Sequence, residues 1–301
     1  MSWLQQLADE LSARGIRGRD QRRIVAELRD HIACEPESVR RLGDPRALAA
    51  SFADELATSR TRRCALWSFG ALAAAALVLA VSQVAIARAG GYPGFDHGVS
   101  QILFWPAFLG VTIAPQLALV AGMLAALRAV RRKRVASLPS AELDLISRRA
   151  RVALAGGLAT MAGLEIYVVN FVTQFPVWYE VVVAGLAAAA AAGLLVAWRA
   201  VAGAGTLLSS AAGPAGDVFD DLPMIGWNWL RRRPWMLGAF ASILVAAVMT
   251  AGAGQAEHSL AEGLQRGVAE GVAAALGFIV LGRAIGVRGP GPAEPYPPTE
   301  A

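Results

Sequence analysis

Apolar and polar positions fall into two regimes along this chain. Up to residue 63 they alternate at helical spacing; beyond it they gather into long uncharged blocks. In the first regime Ser2 precedes Trp3, Leu4, Leu7 and Leu11, one face of a helix that Gly15 ends. Ile24, Leu28 and Ile32, spaced by four with Val25 beside them, predict a second helix from about Arg19 to Ala33. Ser38 to Leu42 reads as a short turn stopped by Gly43. Asp44-Pro45 then supplies an N-cap followed by proline at the first helical position, and Leu48, Phe52 and Leu56 continue that helix's stripe. So few helices in about 60 residues enclose a thin core. The segment is therefore either marginal alone or packed on something else: the membrane face, a copy of itself or another protein. The stripes Ile24/Leu28/Ile32 and Leu48/Phe52/Leu56 are expected to face each other. Trp3, Leu4 and Val25 are expected to stay partly exposed, as a surface for docking a partner.

The second regime predicts membrane spans. A bilayer core needs about 20 apolar residues in helix, and six stretches qualify: 65–87, 101–127, 152–174, 179–198, 235–254 and 267–287. The second contains Pro106 and Pro115, which imply a kink or break. The expected fold is all-α: a small cytosolic helical domain over 1–63, about six transmembrane helices over 64–288, and a Pro/Gly-rich, disordered tail over 289–301. The first apolar run comes too late for a secretory signal and reads as a retained anchor.

Charge orients these spans. The chain is 55% apolar and 17% charged, with a mean hydropathy of +0.46, and its formal charge is +5. The basic residues flank apolar runs instead of forming a face on a soluble domain, which favours membrane topology over direct nucleic-acid binding. With the N-terminus inside and six crossings, 26 of the 28 basic residues lie on the inner side, leaving only Arg88 and Arg266 outside. Both termini are then cytoplasmic, in a multi-pass protein of the cell membrane with the lipid bilayer as its first partner. Trp67, Trp198 and Trp235 fall at inner span ends and Trp105 and Trp178 at outer ones, as aromatic belts require. Small residues spaced by four mark helix–helix faces: Ala155/Ala159/Gly163, Gly185/Ala189/Gly193 and Gly263/Gly267/Gly271/Ala275. The spacing fits packing within one chain or self-association equally. The internal loop at 199–234 opens Gly/Ala/Ser-rich, and its second half mixes aromatics with an Arg cluster, which suits a segment lying at the interface.

The prefix also carries a resemblance. Ile16-Arg17-Gly18-Arg19-Asp20, the run Arg23 to His31, Leu42-Gly43-Asp44-Pro45-Arg46 and Phe52-Ala53-Asp54-Glu55-Leu56 are similar to the HAAS family, α-helical signalling domains associated with helix-turn-helix regulators. The Leu-Gly-Asp-Pro turn is the most specific element. The resemblance covers residues 1–60. It implies a prefix ahead of transmembrane helices, beside a PadR-like transcription regulator or in a permease-like protein. It brings no catalytic residues.

Chemistry-bearing residues are sparse. Glu165 is the one carboxylate well inside a span. A charged side chain at the bilayer centre costs about 3 kcal/mol, which makes it a functional candidate. With Tyr167, Asn170 and Gln174 it suggests a polar stripe toward the outer side; a hydrogen-bonded structural role is the plainer reading. Gln83, Gln101 and Gln116 are further polar groups within the spans. His31-x-x-Cys34 offers half a zinc site. Asp217, Asp220 and Asp221, and the pairs Asp96-His97 and Glu257-His258, are acidic or mixed groups in loops, more often solvated than ligating. Cys34 and Cys64 lie on the cytosolic side, where a structural disulfide is not expected. No zinc-protease, nucleophile-elbow or phosphate-loop pattern occurs. The expectation is a protein without enzymatic activity, cofactor or metal. Its leading role is regulatory, with the prefix docking a cytosolic PadR-like regulator. The alternative is a permease or ABC-type membrane subunit served by a separate ATPase.

Overall fold

The computed structural model describes residues 2–35, 37–88, 100–171, 177–204, 213, part of 236–251, and 260–285. The regular structure of those residues is all helical, in the order α1 (Trp3–Ala13), α2 (Arg19–Cys34), α3 (Ser38–Leu42), α4 (Pro45–Arg88), α5 (Ser100–Arg131), α6 (Ser140–Phe171), α7 (Val177–Ala204) and α8 (Leu260–Ile285). Residues 1–215 and 216–301 form two compact units.

The prefix helices begin and end where their sequence signals lie. Ser2 caps α1 by accepting a hydrogen bond from the Gln5 amide at 3.3 Å. At its other end Gly15 takes φ +85°, the left-handed conformation that a side chain disfavours. This lets the amides of Gly15 and Ile16 donate back to Ser12 and Leu11 carbonyls at 3.1 and 2.9 Å, and brings Ile16 onto Leu11. Both side chains are fully buried. Asp44 starts α4, its Oδ1 accepting from the Arg46 amide at 3.2 Å.

From Pro45, α4 runs 44 residues without a break. The boundary expected between 63 and 64 thus falls inside one rigid helix. The same overrun occurs in α6, which begins twelve residues before the expected span at 152.

Four helices, not six, are long and apolar enough among the described residues to cross a membrane: those ending in α4, within α5, in α6 and in α7. Much of the stretch at 235–254, the expected fifth span, lies outside the described residues. The expected sixth lies in α8, which carries Glu262, Arg266 and Glu270 in its first half. Among the described residues it offers only the shorter apolar stretch Ala274–Arg283, below the length a bilayer core requires. In the first unit α6 is the central helix, with 50% of its apolar window buried against 22% for α4 and α7. It packs against α4, α5 and α7, and α4 also touches both outer helices. The surface left over is apolar: Leu66, Trp67, Leu77 and Val81 on α4, and Val181, Leu186 and Val196 on α7, are all exposed. Such a surface suits lipid and not water. By contrast, no large apolar side chain of the described prefix is among the exposed ones.

Candidate functional site at the junction of prefix and bundle

The thin core of the prefix is completed by the membrane helices themselves. Leu7, Leu11, Ile16 and Ile24 from α1, α2 and their link are buried together with Ala49, Ala53, Ala57 and Ala65 of α4. The same cluster holds Ala125 and Ala129 from the end of α5, and Leu138, Leu143 and Ile146 from the turn and start of α6. The centre of the α4 face is therefore the alanine line 49/53/57, one residue round from the expected Leu48/Phe52/Leu56 stripe, which flanks it half-buried. Alanines let α1 approach α4 closely; the leucines and Phe52 close the sides.

Polar groups fasten this junction. The Thr58 hydroxyl on α4 accepts a hydrogen bond from the Leu138 amide at 2.9 Å. The Arg62 guanidinium donates to the carbonyls of Arg132, of Lys133 at 3.5 Å and of Val135 at 2.6 Å. These carbonyls lie just beyond the end of α5 and accept from a side chain of another helix; that of Arg132 also accepts from the Val135 amide at 3.0 Å. Next to them Arg128, fully buried, donates from Nε to Glu142 Oε1 at 3.0 Å, and Arg132 shares the same carboxylate oxygen at 3.4 Å. Arg149 is fully buried as well. Charges removed from water hold only when paired, so the Arg128–Glu142 pair ties the end of α5 to the start of α6. On the prefix side, Gln21 of α2 donates to the Ala8 carbonyl and the Ser12 hydroxyl of α1, both at 2.8 Å. Asp20 of α2 pairs with Arg60 of α4.

Within the bundle the seams are made of glycine. A methyl group at Gly110 would sit 2.8 Å from the Ala159 carbonyl oxygen and from Gly163 Cα. At Gly156 it would meet the Ala114 carbonyl oxygen at 3.0 Å, and at Gly157 the Leu72 side chain at 2.7 Å. The α6 seam therefore runs through Gly156, Gly157 and Gly163; Ala155 and Ala159 are exposed. In the second unit Gly267 and Gly271 pack as expected, against Thr250 and Ala246. On α7, by contrast, the expected contact face is open. Gly185 and Gly193 have nothing within 4 Å of where a methyl would stand, and Ala189 is exposed.

The sequence-derived candidates are scattered relative to this junction. Trp3, Leu4 and Val25 are all half-buried. Trp3 and Val25 pack on the shared core, and the Trp3 indole donates to the Gly43 carbonyl at 3.0 Å. Glu165 is half-buried on α6, while Tyr167 is buried; two residues apart on a helix, they do not share a face. Asn170 lies on α6 with its side chain outside the described residues, and Gln174 lies outside them altogether. A small crevice between α4, α5 and α6 is lined by Leu72, Ala75, Pro115, Leu119, Gly157 and Thr160, among others. It is apolar, and Glu165 is not part of it. Gln116 is exposed; the side chains of Gln83 and Gln101 are outside the described residues. No group of three or more potential metal ligands occurs among the described residues. Asp96-His97, Asp217/Asp220/Asp221, Glu257-His258 and the tail from 289 lie outside them. Cys34 and Cys64 are free thiols. Sequence reasoning missed Thr58, Arg62, Arg128 and Glu142. Glu142 in the first turn of a helix, with Leu143, Ile146 and Ala150 at helical spacing behind it, was the available signal.

No family model, curated protein or solved structure matches this chain.

Proposed function

We propose that this chain is a non-catalytic regulatory protein of the cell membrane, whose N-terminal helices dock a cytosolic partner and pass its presence to the bundle. The observation that carries the reading is α4. One unbroken helix belongs to the prefix core at Ala49–Ala57, is fastened to the α5–α6 turn at Thr58 and Arg62, and packs within the bundle at Leu72. A load applied to α1 or α2 must move α4 or the α5–α6 turn, since both share its core. The PadR-like nature of the partner rests on the resemblance of residues 1–60 alone. Leu4 and Val25, which keep part of their apolar surface in the open, mark its docking edge, and Trp3 holds α1 in place beneath.

The orientation proposed is N-terminus inside. An even number of crossings, four or six, returns the chain to the same side, so the tail is cytoplasmic either way. With four crossings only Arg88 of the 28 basic residues lies outside. The rival reading, a permease subunit, calls for a polar cavity reaching Glu165. The crevice between α4, α5 and α6 is apolar instead, and glycine contacts close α6 against its neighbours beside it.

The test is recovery of the full chain from its native membranes in mild detergent. A PadR-like regulator is expected to come with it, and Leu4→Glu is expected to release that regulator without lowering the membrane level of the chain. Recovery with an ATPase subunit and no regulator would favour the permease reading.

A further inference from the structure

Of the four basic side chains where α5 runs into the α5–α6 turn, only Arg132 takes part in the fastening just described, through Glu142. The carbonyls of the turn point in to Arg62, and Arg131, Arg132, Lys133 and Arg134 are exposed. Residues 130–139 contain no acid. The acid next along the chain, Glu142, is buried and committed to Arg128 and Arg132. Beyond it α6 exposes one carboxylate, Asp144, against Arg148 and Arg151. Two apolar side chains, Val130 and Val135, stand exposed among the basic ones at 54% and 39%, a mixture that suits the boundary between water and hydrocarbon.

The depth of the turn identifies what it faces. The apolar run of α4 opens at Ala65, and Trp67, 74% exposed, stands at the aromatic-belt level. Arg62, which clasps the turn, precedes Trp67 by five residues, about 7.5 Å along the helix axis. The headgroup layer on each side of a bilayer is roughly 5–7 Å thick. The clasp thus holds Arg131, Lys133 and Arg134, with Arg132 between them paired to Glu142, at the level of lipid phosphates. We propose that the turn Arg131–Arg134 is a site for anionic phospholipid headgroups on the membrane face that carries the prefix. Clustered cations beside a span attract anionic lipid at about 1 kcal/mol each, and here the turn is held rigid, so little ordering is needed to bind. The inference rests on the proposed placement of the spans. It also gives the junction a second input, since a lipid that grips the turn acts on the residues Arg62 and Thr58 hold.

The experiment uses the full chain in an uncharged detergent, with thermal unfolding followed on addition of phosphatidylglycerol, phosphatidylcholine or water-soluble glycerol phosphate. Phosphatidylglycerol is expected to raise the melting temperature well above the other two, and the difference should shrink with salt. The Arg131→Gln/Lys133→Gln/Arg134→Gln variant should lose that difference while melting like the unaltered chain without lipid. Arg134→Gln alone should raise the phosphatidylglycerol concentration needed for a given rise roughly fivefold. Equal responses to the two lipids, an equal response to glycerol phosphate, or an undiminished response in Arg134→Gln would each overturn the site. The detergent result is independent of which side the turn faces. Labelling of Arg134→Cys in whole cells by an impermeant thiol reagent, with native cysteines replaced, would overturn the orientation separately.

Discussion

Glycines that look alike in the sequence differ in what surrounds them, and this separates seams from lipid-facing surface. Gly163 has the Gly110 backbone against it, whereas Gly185 and Gly193 face open space. Gly163→Leu is therefore expected to lower stability by about 1–3 kcal/mol or more through forced separation of α5 and α6, and Gly185→Leu to leave it near that of the unaltered chain. Thermal unfolding in detergent distinguishes them, and equal losses would contradict the seam. Four-spaced small residues were legible as stripes, but which stripe met another helix was not. Spacing does not encode the partner, and on α6 the seam keeps Gly163 of the readable line but otherwise runs through Gly156 and Gly157. Glu142→Gln removes the carboxylate shared by Arg128 and Arg132. Breaking a buried pair costs about 3–5 kcal/mol, and Arg128→Met in the same chain is expected to restore part of it, measured as a double-mutant cycle. Glu165→Gln is expected to change neither membrane level nor regulator recovery, because the apolar crevice does not reach it; loss of function at normal levels would return the permease reading to first place.

Element boundaries were legible wherever a backbone-specific residue set them: Ser2 and Gly15 for α1, Asp44-Pro45 for α4. They were not legible where helices simply continue. A span is read from where apolar residues begin, but hydrogen bonding along a helix does not stop at the membrane surface. Thus α4 and α6 both extend into the prefix layer. The consequence falls on α1. Its Trp3 was readable as an apolar surplus, and in the fold it packs on the core and bonds to Gly43. Trp3→Ala is expected to destabilise the prefix, not only weaken docking. Hydrogen exchange of α1 amides in the intact chain should show it as faster exchange from Leu7 to Leu11, and unchanged exchange would return Trp3 to the docking surface alone.

Among the described residues the chain is helical, with an apolar surface that suits a membrane and a prefix cored partly by helices long and apolar enough to cross one. A composition argument reaches the first half of that statement. It does not reach the second, because Ala125, Ala129, Leu138, Leu143 and Ile146 are too few and too scattered to announce a shared core from sequence. Orientation is expected to show as reporter activity on the cytoplasmic side for a C-terminal fusion; an externally active reporter there would contradict an even number of crossings from an inner N-terminus. The central claim, one core shared by prefix and bundle, is tested most directly by amide hydrogen exchange on α1 and α2, comparing the intact chain in lipid with residues 1–60 alone. Leu7, Leu11 and Ile24 should be strongly protected in the intact chain and exchange at close to unfolded rates in the fragment, which lacks the covering residues of α5 and α6. Equal protection in both, with cooperative melting of the fragment, would contradict it and make the prefix an independent domain.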